Sequence, residues 1–243
     1  MPLYIKSNQA ISSNDITSNG ILKTKVNRDG LILHLDAGHV DSYSGSGGTW
    51  YDLSGVGNHT TISGPTWTTV GGRTAFNFTG NGQYVNKTGL SSFPTTELTY
   101  EVWLYPAASD TQGDDRGCVI QTSSGSAAYM SFNKSNRYMS NYWYGHSPEG
   151  YHESNGPSAR SAWHHWCAVW DNRSIHQWVD GTYNVVKNVR GTSTANTNLW
   201  IGNEGGGSRQ FSGAIAVVRI YNRALNGYEV YENFQAQRGR FGI

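Results

Sequence analysis

Leu98-Thr99-Tyr100-Glu101-Val102-Trp103-Leu104-Tyr105 is the stretch that decides the fold. Its side chains alternate strictly. Leu98, Tyr100, Val102 and Leu104 point one way; Thr99, Glu101, Trp103 and Tyr105 point the other. A period of two over eight residues predicts a β-strand, and an apolar first set predicts that this face meets a core. Shorter segments of the same kind flank it. Upstream lie Leu31–Leu35, Ala75–Phe78 and Gln83–Val85, the last two separated by the hairpin-type turn Gly80-Asn81-Gly82. Downstream the pattern continues at Cys118–Gln121, Ala128–Phe132, Arg137–Tyr144, Trp163–Trp170, Ile175–Val179, Tyr183–Val186, Leu199–Ile201 and Ile215–Tyr221. Asp180-Gly181 is a second tight-turn signal. So many short strands with glycine-rich turns predict two packed antiparallel sheets. Trp163 and Trp170, seven positions apart, fall on opposite faces of their strand, and Leu199, Ile201, Ile215 and Val217 are expected to pack sheet against sheet.

Composition agrees. Of 243 residues, 14% are charged and 13% aromatic, with 30 glycines and 6 prolines, which suits a turn-rich β protein and not a helical bundle. Eighteen Lys and Arg against 17 Asp and Glu leave a net charge of +1, with no basic excess for nucleic-acid phosphates. No apolar run approaches the roughly 18 residues of a membrane span. Met1 to Asn8 shows no charged leader followed by an apolar stretch, so no signal peptide is expected and synthesis in a cytoplasm is. Cys118 and Cys167 are the only cysteines and are expected to be reduced.

The two ends differ from the middle. Residues 1–28 are polar with scattered Leu3, Ile5, Ile11, Ile16 and Ile21, which predicts an extended arm with a short strand near Ile21-Leu22-Lys23. Such an arm can serve as a strap that adds to a neighbour's sheet edge. Residues 29–243 then form one domain. Near its end, Asn226 and Glu229 stand at capping-box spacing, and Leu225 and Val230 at the positions of a hydrophobic staple. They predict a helix to about Gln237, ended by Arg238-Gly239.

Four blocks, in order, resemble the laminin-G-like branch of the concanavalin A-like lectin/glucanase superfamily. They are Gly30 to Gly38 with Trp50 to Asn58; Tyr100-Glu101-Val102-Trp103-Leu104-Tyr105-Pro106; Trp163 to Val169 running on to Trp178-Val179-Asp180-Gly181; and Leu199-Trp200-Ile201-Gly202 with Phe211 to Leu225. The opening block and the ending Asn233 to Ile243 are similar to a version common in structural proteins of tailed bacteriophages. The resemblance implies an all-β, jelly-roll two-sheet sandwich whose concave face or rim loops bind glycans in relatives. It implies a virion protein on the surface of a capsid or tail, with other virion subunits as partners through the arm, and leaves self-association open.

Catalysis is not expected. Glucanase relatives carry paired acids on one strand in a Glu-x-Asp-x-(x-)Glu pattern, which the two-carboxylate mechanism requires; here Glu101 is followed on its own face by Trp103 and Tyr105. No nucleophile-elbow pattern surrounds any serine. His164-His165 are adjacent on a strand, face opposite ways, and read as packed or hydrogen-bonded histidines. Glu149 and Glu153 flank a loop that does not fix their separation. No cofactor is expected. Calcium, common in laminin-G-like relatives, stays open: the densest acidic loop is Asp110 to Asp115, with Asp110, Asp114 and Asp115 as candidate ligands. Ala216 stands where many relatives have an acid, which favours a solvated loop and a stability independent of calcium.

For binding, Arg137 to Tyr144 is the most informative stretch. Tyr138, Tyr142 and Tyr144 fall on one face, Met139 and Trp143 on the other, which is more aromatic surface than one core-facing side requires. The following loop adds His146 and Tyr151. Aromatic rings beside polar groups suit sugars, and they also suit protein interfaces. Tyr138, Tyr142, Trp143, Tyr144, His146 and Tyr151 are therefore the candidates for a glycan or subunit contact. A non-enzymatic virion decoration protein is the favoured function. A stand-alone lectin for host polysaccharide is the alternative, and a glycoside hydrolase is the third choice.

Overall fold

The computed structural model describes residues 25–80, 82–94, 96–109, 115–122, 128–143, 151–155, 158–188, 197–205 and 207–243. They form two antiparallel sheets and one C-terminal helix. The first sheet contains β1 (Leu31–Asp36), β4 (Thr66–Val70), β5 (Arg73–Thr79), β7 (Leu98–Pro106), β12 (His164–Trp170), β13 (Ser174–Val179), β14 (Thr182–Asn188) and β16 (Ser212–Tyr221). Its order is β14-β13-β12-β7-β16-β5-β4, with β1 also paired to β16. The second sheet runs β11-β10-β9-β8-β15-β6-β3-β2. Its strands are β2 (Thr49–Trp50), β3 (Thr60–Ser63), β6 (Tyr84–Lys87), β8 (Arg116–Thr122), β9 (Ala128–Asn133), β10 (Met139–Trp143), β11 (Tyr151–Glu153) and β15 (Leu199–Ile201). The jelly-roll expectation holds, and β2, β3, β4 and β11 are strands that periodicity alone did not mark.

The faces of β7 separate as its alternation predicts. Leu98, Tyr100, Val102 and Leu104 join the core between the sheets, with Trp166 of β12 and Met130 of β9. Trp103 lies on the outer face with Trp163, and Trp170 on the inner one. Leu199, Ile201 and Ile215 pack between the sheets as expected, but Val217 does not. A β-bulge between Ile215 and Val217 puts Ile215 opposite Leu104 and Val217 opposite Trp103, so the parity of β16 flips there.

The Gly80–Gly82 turn also departs from expectation. It is tight, with the Gln83 N–H donating to the Gly80 carbonyl at 2.9 Å, but β5 and β6 belong to different sheets. It carries the chain from one layer to the other and is not a hairpin. Asp180-Gly181 is a hairpin turn between β13 and β14. Its φ angles of 51° and 72° give the left-handed pair that matches strand twist.

The helix α1 (Gly227–Phe241) begins with the capping box: the Asn226 side chain accepts from the Tyr228 and Glu229 N–H groups, and the Glu229 side chain accepts from the Asn226 N–H. Leu225 and Val230 are buried in one cluster, completing the staple. The helix passes the expected stop at Arg238-Gly239 and ends at Gly242, which takes the left-handed conformation (φ 78°). An interior glycine costs a helix only about 1 kcal/mol. Burying Phe241 against the Trp103 ring, with centroids 4.1 Å apart, offsets that by roughly 2 kcal/mol.

Helix α1 lies on the outer face of the first sheet, over a buried polar network. Glu101 Oε1 accepts from Arg219 Nη1 (2.6 Å) and pairs with His165 Nε2 (3.0 Å); its Oε2 accepts from Asn233 Nδ2 of the helix (2.8 Å). Asn233 Oδ1 in turn accepts from the N–H of Asn27 (2.7 Å), so the last residues of the expected arm dock on the domain. Residues 1–24, including the strand expected at 21–23, lie outside the described residues. Both cysteines are free and buried. No helix among the described residues is long and apolar enough to cross a membrane.

Candidate functional site

The outer face of the second sheet carries no helix among the described residues. Register determines what stands on it. In β9, Met130 and Phe132 enter the core, so Tyr129 and Ser131 face outward. Tyr142 of β10 is opposite Tyr129, and Tyr151 of β11 is opposite Tyr142. On the other flank Gln121 of β8 pairs with Tyr129, Trp200 of β15 with Gln121, and Asn86 of β6 with Trp200. One ladder row therefore reads Tyr151, Tyr142, Tyr129, Gln121, Trp200, Asn86 across six strands. From Tyr142 to Trp200 is three strand spacings, about 14 Å.

The tyrosines form one packed cluster. Tyr129 and Tyr142 stack with centroids 5.2 Å apart and 22° between planes, and Tyr151 meets Tyr142 at 5.1 Å and Tyr129 at 6.0 Å. The Tyr129 hydroxyl donates to that of Tyr151 at 2.5 Å. Burial and that hydrogen bond push the Tyr129 phenol well above its ordinary range, so it stays neutral. The Arg116 guanidinium lies 3.5 Å from the Tyr151 ring centre and donates to Ser140 Oγ (2.9 Å) and Glu153 Oε1 (3.1 Å). Tyr142, Tyr151, Trp200 and Tyr84, whose ring meets Trp200 at 5.0 Å, are half-buried, which leaves ring surface accessible beside a polar rim. Gln121 Oε1 is buried with no partner among the described residues.

Of the residues singled out in the sequence, the structure brings Tyr142 and Tyr151 together. Tyr138 sits in the turn before β10; its carbonyl accepts from the Asn133 N–H, and its ring makes no contact with the cluster among the described residues. Trp143 is the last residue of β10, in register with Ala128. Tyr144 and His146 lie outside the described residues. Sequence reasoning missed Tyr129, Arg116, Gln121 and Trp200. The alternation Tyr129-Met130-Ser131-Phe132 signalled that Tyr129 faces outward, but nothing in it named Tyr142 as its cross-strand partner.

Of the other candidates, those within the described residues are held by side-chain partners. Glu101 is 1% exposed and ion-paired, beyond reach of any substrate. Burial raises its pKa, but the Arg219 charge and the hydrogen bonds of His165 and Asn233 outweigh that and hold it down, at about 2. His164 and His165 point to opposite sides, as expected: His164 Nδ1 meets Asp180 at 2.9 Å, and His165 meets Glu101. Asp115 accepts from the N–H and hydroxyl of Ser135, which caps the β9–β10 turn. Asp110 and Asp114 lie outside the described residues. Among the described residues no three His, Cys, Asp or Glu side chains are placed to share a metal ion.

Residues 79–231, more than half of the chain, match the model of the concanavalin A-like lectin/glucanases superfamily, in its laminin-G form. The chain belongs to that superfamily. No curated protein sequence matches it. Among solved structures it is similar to the sialidase of Trypanosoma rangeli (TM-score 0.64, 16% identity), covering 91% of this chain but only 34% of that one. It thus spans about a third of the enzyme's length. It is also similar to the binding domain of Paraclostridial Mosquitocidal Protein 1 (TM-score 0.65, 13% identity, 85% of this chain and 52% of that). A third match is domain 4 of an extracellular arabinanase from Geobacillus stearothermophilus, solved with arabinotriose (TM-score 0.62, 14% identity, 84% and 97%). Identities this low speak for the shared sandwich alone.

Proposed function

We propose that this chain is a non-enzymatic carbohydrate-binding sandwich, displayed on the surface of a virion, that reads an oligosaccharide along the outer face of its second sheet. The observation that carries the reading is the ladder row from Tyr151 to Trp200. It offers half-buried aromatic rings at both ends, an amide between them, and the Arg116–Glu153 pair at its rim. An apolar sugar face stacks on such rings while its hydroxyls take the polar groups. From Tyr151 to Trp200 is four strand spacings, about 19 Å, which suits a chain of sugars better than a single one. The arabinanase domain bound to arabinotriose is a precedent within the same fold. The acids among the described residues support a non-enzymatic reading. Glu101 is sequestered under α1, and Glu153 and Glu204 of the second sheet's side are each engaged by an arginine, at 3.1 and 2.9 Å. A glycosidase needs two carboxyl groups facing one bond.

The test is a glycan array probed with the full chain and with Tyr142→Ala. Binding of at least one oligosaccharide family, lost in the variant, is expected; an array blank for the full chain overturns the reading. The virion setting rests on the sequence resemblance of the opening and closing blocks. It predicts that a chain lacking residues 1–24, but keeping Asn27, stays folded and no longer joins its particle. Equal incorporation of both chains would favour the stand-alone lectin.

A further inference from the structure

Helix α1 covers the outer face of the first sheet over β7, β16 and β12, and its first turn ends that cover beside β13. There the structure leaves a cleft of about 320 Å³, lined by Val169, Asp171, His176, Trp178, Leu225 and Gly227. Its construction is specific. Trp178 stands opposite Tyr183 in the β13–β14 hairpin, their rings edge to face at 5.2 Å, and Tyr183 is half exposed. Asp171 Oδ1 accepts from the N–H groups of Arg173 (3.0 Å) and Ser174 (2.7 Å), which fixes the carboxylate. Its Oδ2 meets His176 Nε2 at 3.1 Å, and His176 Nδ1 meets the Tyr183 hydroxyl at 3.3 Å. The indole N–H of Trp178 has no acceptor among the described residues. Gly227 at the helix start lies against the Trp178 indole, 3.6 Å from where a Cβ would stand, an ordinary contact distance.

We propose that this cleft is a second saccharide site, which takes one uncharged pyranose ring. Its volume is at the low end of small-molecule pockets and suits a single sugar. The half-exposed Tyr183 ring beside the cleft supplies apolar surface for a sugar's C–H face, backed by the buried Trp178. The Trp178 N–H is a donor for a ring hydroxyl, and the oriented Asp171 carboxylate is an acceptor for another. The lining residues include one carboxylate and no lysine or arginine, so a uronic or sialic acid would set like charges together in a confined space. The site shares its ligand class with the function proposed above, but none of its residues. It lies on the opposite sheet and would make the molecule bivalent.

The experiment is ¹⁹F NMR of the full chain labelled with 5-fluorotryptophan, the Trp178 signal being assigned by its loss in Trp178→Phe. Neutral methyl pyranosides and methyl glucuronide are titrated to millimolar concentration. At least one neutral pyranoside is expected to move the Trp178 signal saturably, with the glucuronide and the Tyr183→Ala variant each weaker by about tenfold. Tyr142→Ala should leave the response unchanged. A Trp178 signal indifferent to every neutral sugar, an equal response to the glucuronide, or an undiminished response in Tyr183→Ala overturns the proposal. A blank glycan array with a responsive Trp178 would remove the tyrosine row and leave this site standing.

Discussion

The two sheets treat their outer faces in opposite ways. On the first, α1 seals Trp103 under Phe234 and Phe241 and closes Glu101, Arg219 and His165 away from water. On the second, Tyr142, Tyr151 and Trp200 keep part of their rings exposed, with no helix above them among the described residues. Both rows are aromatic with charged neighbours, so composition does not distinguish them. What differs is cover. A sealed ion pair is a matter of stability, because its charges can reach nothing else; an open aromatic row is available to a ligand.

Perturbing what both faces share gives the largest effect. Ile215→Asp places an unpaired carboxylate in the core between the sheets, costs several kcal/mol, and should abolish soluble expression; normal yield would contradict the burial of β16. Next comes the sealed face alone. Glu101→Ala leaves Arg219 buried without its anion and should cost about 3–5 kcal/mol in denaturant unfolding. The double change Glu101→Leu with Arg219→Met should recover much of that loss, since it removes both charges together.

Acid sharpens the comparison further, because its predicted targets lie on the sealed side. Burial, helped by the Arg219 charge, lowers the His34 pKa to about 3 from 6.5, so its imidazole is neutral in the fold. The unfolded chain takes up that proton near pH 6.5, so this stability is intact above pH 6.5 and is lost as pH falls toward 3. Glu101 acts in the same direction between 4.5 and about 2. Melting temperature should therefore fall steadily from pH 7 to pH 3, and less steeply in His34→Asn; equal slopes would exclude His34 as a contributor. Asn226→Ala removes the cap of α1 and should cost about 1 kcal/mol. The smallest change in stability is expected on the open face: Tyr142→Ala should shift unfolding by less than about 1 kcal/mol while abolishing oligosaccharide binding.

How far these faces were legible in the sequence depends on the range of the interaction concerned. Alternation in Leu98 to Tyr105 and the cap at Asn226 are local, and both appear in the structure as read. Val217 was misplaced because a bulge shifts parity without any marker in the residues around it. The Gly80–Gly82 turn was misread because a glycine turn specifies a reversal, not which sheet receives the next strand. The tyrosine row lay half hidden for a related reason. Tyr142 and Tyr151 could be picked by type, but only cross-strand register places Tyr129, Gln121 and Trp200 beside them.

One pairing sets a timetable for the molecule. Strand β16 bonds to β7 along its length and to β5 and β1 on its other side, and so stands within the first sheet although it is the last strand made. About a hundred residues separate the end of β7 from its start. At ribosomal rates of 5–20 residues per second, that is roughly 5 to 20 seconds of synthesis. Until β12 is made both edges of β7 lack their partners, and from then until β16 arrives one edge stays bare, its backbone donors and acceptors open to any passing strand. Escape from aggregation in the cell then depends on how quickly the final segment arrives, or on what shields that edge until it does.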